Sequence, residues 1–193
     1  MVLAGCSSDP GAGGSPSSTP PASPTADSTP PYAGAPKVAT PLPVSLLSGD
    51  PCTTALTTDQ TKTIFGQVEQ GKRSDNGALG PTCEWSNLDT GAGLSVLYDS
   101  THDGLSSVYR GTKPRAIVWR ETSVQGFPAA VHLTDQGGSK DAFCAVTVGT
   151  ADSASVDVGL TLSRAKVGKS DPCTVDLQIA DMVIGNLQHK AGS

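Results

Sequence analysis

Two periodicities run through the chain. From about residue 82 to residue 162 apolar positions tend to alternate with polar ones, as in strands that bury one face. Val156, Val158, Leu160 and Leu162 give the clearest case, with Asp157, Gly159 and Thr161 between them. Cys144, Val146 and Val148 repeat the pattern within residues 143–149, and Cys83 and Trp85 share a face within 82–88. Residues 93–99, 117–124 and 129–134 complete six predicted strands. The last two are separated by Gln125-Gly126-Phe127-Pro128, which reads as a turn. Beyond residue 173 the spacing changes. Cys173, Leu177, Ala180, Ile184 and Leu187 fall three or four apart, the mark of an amphipathic helix.

Helix starts are equally legible. Asp50-Pro51-Cys52 and Asp171-Pro172-Cys173 each set a capping carboxylate before a proline at the first helical position, where the missing N–H costs nothing. The first opens a short turn over 53–56. Thr57 or Thr58 then caps a helix that Gly66 ends, since glycine suits the left-handed closing position. Residues 103–110 predict a short helix presenting Leu105, Val108 and Tyr109. The order helix, two strands, short helix, four strands, helix predicts an α+β domain: a single antiparallel sheet with helices packed on one face.

Composition divides the chain. It has 193 residues, 36% of them hydrophobic and 4% aromatic, but ten of its 15 prolines lie in residues 1–43 and seven of its eight aromatics beyond residue 60. Residues 7–43, rich in Ser, Pro, Gly and Thr, read as a disordered tether with an r.m.s. reach of roughly 35 Å. Residues 44–193 read as the globular domain. A net charge of −5 argues against nucleic acid as a partner.

Cysteines carry the next layer. Cys52, Cys83, Cys144 and Cys173 are widely spaced and show no CxxC pair, so they suggest disulfides and an oxidising, extracytoplasmic compartment. Of three possible pairings we expect Cys52–Cys83 and Cys144–Cys173, because each joins the first turn of a helix to a nearby strand and builds the two halves alike. Loops of this length make each bridge worth about 3.5 kcal/mol. Leu3-Ala4-Gly5-Cys6 matches the bacterial lipobox. Residues 1–6 are therefore expected to be the remnant of a lipoprotein signal peptide, with Cys6 as the lipidated residue and the membrane as a partner through that anchor.

The helix starts, Cys83-Glu84-Trp85, Gly126-Phe127-Pro128-Ala129, Cys144 and the closing Asp-Pro-Cys together resemble a family of actinobacterial secreted lipoproteins classified only as a domain of unknown function. The resemblance implies a lipid-anchored domain on the outer face of a Gram-positive actinobacterial membrane. It brings no catalytic residues.

Candidate chemistry is sparse. His102, His132 and His189 have no companion at metal-ligand spacing, and His132 is expected on the solvated strand face. No metal or cofactor is expected. Ser163-Arg164-Ala165-Lys166 fits the SxxK pattern of acyl-transfer enzymes but lacks its companion motifs and its helix. Trp85 reads as core. Tyr109, Arg110, Arg115, Trp119 and Arg120 form a possible recognition surface in an acidic protein. The leading expectation is a lipid-anchored binding or interaction module of the cell envelope without catalysis, its partner an envelope protein or a small molecule. The alternatives are a cell-wall hydrolase using carboxylates such as Glu84, Asp99 or Glu121, and a structural envelope lipoprotein.

Overall fold

The alternating segments pair into one seven-stranded antiparallel sheet in a computed structural model that describes residues 29–76 and 79–192. The strands are β1 (Lys72–Asn76), β2 (Gly80–Asn87), β3 (Ala92–Asp99), β4 (Ala116–Val124), β5 (Phe127–Thr134), β6 (Phe143–Ala151) and β7 (Ala154–Thr161). Their order across the sheet is β1-β2-β3-β7-β6-β5-β4, so two meanders meet where β3 pairs with β7. The first strand was not expected. Its sequence, Lys-Arg-Ser-Asp-Asn, has no apolar period because it is an edge strand without a buried face, and charges of this kind discourage further pairing.

Register decides which side chains meet. Leu94, Val96 and Tyr98 of β3 lie opposite Leu160, Val158 and Val156 of β7, which lie opposite Cys144, Val146 and Val148 of β6. These rows form one apolar face. Three helices gather over it: α1 (Pro51–Thr54), α2 (Thr58–Phe65) and, after the loop that follows β7, α4 (Pro172–Ala191). The observed stripe of α4 runs through Cys173, Ile179, Ala180, Val183, Ile184 and Leu187, all buried, while Leu177 is only half-buried.

The capping reading holds atom by atom. Asp50 accepts from the Cys52 N–H at 2.9 Å, and Asp171 accepts from the Thr174 N–H at 2.8 Å. Thr57 and Gln60 close a reciprocal capping box on α2, which ends at Gly66 with φ 79°. Both expected disulfides are present, Cys52–Cys83 tying α1 to β2 and Cys144–Cys173 tying β6 to α4.

Three expectations are corrected. The turn between β4 and β5 is only Gln125 and Gly126, with φ of 51° and 84°, the two positive values that a type I′ hairpin requires. Phe127 and Pro128 belong to β5. Pairing of β5 with β6 starts at Ala129, so the proline's missing donor breaks no bond to β6. Secondly, α3 (Leu105–Gly111) lies on the sheet face opposite the other helices. Leu105 and Tyr109 pack there on Ala130, and the backbone of Gly149 approaches so closely that an added Cβ would stand 2.8 Å from Leu105.

Thirdly, the packed unit begins before residue 44. Tyr32 is buried beside α3; its N–H donates to Ser106 Oγ at 3.0 Å and its hydroxyl to Asp103 at 2.9 Å. Farther along, the Val38 N–H donates to Asp152 and the Leu42 N–H to the Thr150 carbonyl. A single tyrosine and valine anchor a segment whose Pro-rich composition hides them. Cys6 and residues 7–28 of the expected tether lie outside the described residues. Among the described residues no helix is long and apolar enough to cross a membrane.

Candidate functional site

The expected recognition surface is only partly assembled. Tyr109 is buried rather than presented, and its ring meets Trp119 edge-on, 5.0 Å between centroids. The Lys113 ammonium, absent from the expected cluster, sits 4.5 Å from the Tyr109 centroid and 5.2 Å from that of Trp119. Glu121 accepts from Lys113 at 2.7 Å and from the Trp119 indole at 3.2 Å, and the lysine's hydrogen bond holds its carboxyl below the usual range. Arg110 lies 4.7 Å above the Tyr32 ring, and Arg115 donates to the Gly111 carbonyl at 3.0 Å. Arg120 follows Trp119 in β4 and so projects to the opposite sheet face. The Lys113–Glu121 pair and the Arg110–Tyr32 contact clasp α3 and the Tyr32 segment onto the sheet.

Beneath it runs a polar file that the pattern of strands did not reveal. His132 Nε2 stands 2.9 Å from Thr147 Oγ1; Thr147 donates in turn to Asp157, which also accepts from Ser155 at 3.3 Å. The ring of His132 stacks under Trp119, 6.3 Å between centroids, so the histidine is half-buried and not on a solvated face. Burial pushes it down to about 4 and pushes Asp157 up to about 6. Thr147 has no solvent exposure, so no substrate reaches the hydroxyl at the centre of this file.

The three carboxylates considered for hydrolysis are scattered. Glu84 on β2 and Glu121 on β4 are five strand spacings apart, roughly 24 Å. Glu84 faces Ser95 across β2–β3, and Asp99 is four residues farther on, roughly 14 Å away. Asp99 and Glu121 are four spacings apart, roughly 19 Å. A glycosidase pair needs about 5–9.5 Å. Asp99 closes a turn instead, its Oδ1 accepting the N–H groups of Thr101 at 2.8 Å and His102 at 3.1 Å. No group of three metal-ligating side chains occurs among the described residues.

What the fold does build is a groove. The helix α2, eight residues long, stops at Gly66 while α4 continues for 20, and the end of β7 lies between them. The space left there is about 390 Å³, half-open to solvent. Its floor is Leu160 and Leu162, its walls Phe65 from α2 and Ile179 and Met182 from α4. Thr63, Thr90, Thr161, Ser163 and Gln178 bring the polar side chains, Lys166 the sole charge, and no acidic residue is in the lining. The loop after β7 holds the rim. Its Arg164 N–H donates to the Thr90 carbonyl at 2.9 Å, and one helical turn, Lys166 N–H to Ser163 carbonyl at 2.8 Å, sets Ser163 and Lys166 on one side of the loop. The two ends of the SxxK motif therefore meet at the groove, joined through the backbone.

The sequence matches the model of a family described as protein of unknown function (DUF3558), over residues 1–186. The chain belongs to this family. No curated protein and no solved structure matches it. The DUF3558 match takes in the amino-terminal segment as well as the disulfide-linked domain, and it carries no assigned activity. Function for this DUF3558 domain must be argued from its own surfaces.

Proposed function

We propose that the chain is a ligand-binding module of the cell envelope, anchored outside the cytoplasm by a lipid on Cys6, that holds a small apolar molecule between α2 and α4. The observation that carries the reading is the groove itself. Its volume of about 390 Å³ falls within the range of small-molecule sites, its lining is mainly apolar, and a few hydroxyl and amide groups converge on it. Two disulfides suit a domain that works in an oxidising compartment. The scatter of Glu84, Asp99 and Glu121 gives the hydrolase alternative no carboxylate pair to work with.

The test is native mass spectrometry of the full chain purified from the membranes of cells that export it. The expected result is a bound organic mass that solvent extraction removes. In Thr63→Trp, an exposed position on the groove wall, that mass should be absent. An equally loaded Thr63→Trp protein, or a wild-type protein that carries and accepts no apolar molecule, would overturn the reading.

A further inference from the structure

The rim of the groove names the class of molecule that fits it. We infer that the ligand is a single-chain amphiphile with an anionic carboxylate or phosphate head, its chain along the apolar floor and its head at Lys166 and Ser163. This inference rests on the groove being a ligand site.

Three observations carry it. First, the lining has one cation and no acid, in a protein whose net charge is −5. Second, Lys166 is exposed and its ammonium has no acidic partner among the described residues. A free ammonium beside desolvated leucines is placed for a charge that arrives with an apolar body. Third, the Ser163 hydroxyl is uncommitted and one helical turn from Lys166, so a donor stands beside the charge. The floor of Leu160 and Leu162 continues between Phe65 and Met182, an open channel suited to a flexible chain. Ser163 is assigned here as a binding residue.

The experiment is calorimetric titration of the full, unlipidated chain with four probes below their micelle concentrations: dodecanoate, dodecyl phosphate, dodecanol and inorganic phosphate. Charge-assisted hydrogen bonds make the two anionic amphiphiles bind on the order of tenfold more tightly than dodecanol. Inorganic phosphate shows no binding at matched concentrations. Lys166→Gln removes the difference between dodecanoate and dodecanol and leaves dodecanol binding unchanged; Lys166→Arg keeps it. Thr63→Trp weakens every chain-bearing probe. Equal affinity for dodecanol and the anions, or a preference that survives Lys166→Gln, overturns the head-group assignment and leaves the groove reading standing. Inorganic phosphate binding as tightly as dodecyl phosphate also overturns it. Failure of all three amphiphiles removes both.

Discussion

Asp176 is a buried acid whose carboxylate oxygens have no hydrogen-bond partner among the described residues, and replacing it should make the domain more stable. It sits in the second turn of α4 with no solvent exposure. Burial alone raises its pKa well above the usual carboxylate value, so the folded protein holds it as the neutral acid. A buried polar group without a partner costs about 1–3 kcal/mol. Alanine is also the better helix former by about 0.5 kcal/mol. Against these gains stands the packing lost with three heavy atoms, about 1 kcal/mol. The net expectation for Asp176→Ala is about 1–2 kcal/mol of added stability near pH 4, where the folded acid is neutral and the linked proton adds little, or a rise in Tm of about 3–6 °C.

The pH dependence gives a second signature. An acid whose folded pKa is raised keeps its proton in the native state while the unfolded chain loses it near pH 4, so stability falls as pH climbs from there toward the folded value. The gain from Asp176→Ala is therefore larger at pH 7 than at pH 4. Urea unfolding followed by circular dichroism at both values measures it. A variant destabilised by about 1 kcal/mol or more at pH 7, an ordinary loss for a point substitution, or a gain independent of pH, would show that Asp176 has a partner and refute the reasoning.

Other consequences can be tested alongside. Removing the second bridge with Cys144→Ala and Cys173→Ala, a loop of 29 residues, lowers stability by about 3.6 kcal/mol, read from denaturant midpoints. Between pH 4 and 6 the two half-buried members of the polar file act in opposition: Asp157, pushed up to about 6, loses stability as pH rises, and His132, pushed down to about 4, gains it. Asp157→Asn should therefore remove a gain of stability on acidification, and His132→Gln should enlarge the gain; unchanged slopes in both would contradict the assignment. In a full-length exported protein, Cys6→Ala should move the chain from the membrane to the soluble fraction, and retention would exclude the lipid anchor.

Legibility followed from how many faces each element buries. The strand at 156–162 and the closing helix bury one side each, so their apolar periods were plain, and the capping carboxylates Asp50 and Asp171 marked helix starts without ambiguity. The β1 strand buries no face and left no period. Tyr32 and Val38 anchor a Pro-rich stretch whose average composition conceals them. That α3 takes the opposite face depends on Gly149 and Ala130, which are far away in the chain and show their role only in register. The groove was hidden for the same reason. Leu160 read as one member of a half-buried strand, Phe65 and Met182 carried no signal of their own, and their arrangement around an opening arises from the unequal lengths of α2 and α4. Ser163 and Lys166 were visible as a motif, but the apolar floor beside them was not.

Met182 offers the most direct measurement of the central claim. It is one of only two methionines, the other being Met1, and it forms a wall of the groove. In the carbon–proton correlation spectrum of methyl-labelled methionine, titration with dodecanoate should shift the Met182 signal to saturation while Met1 stays in place. A Met182 signal that does not move while the amphiphile binds elsewhere, or that shifts equally in Thr63→Trp, would contradict a ligand site between α2 and α4.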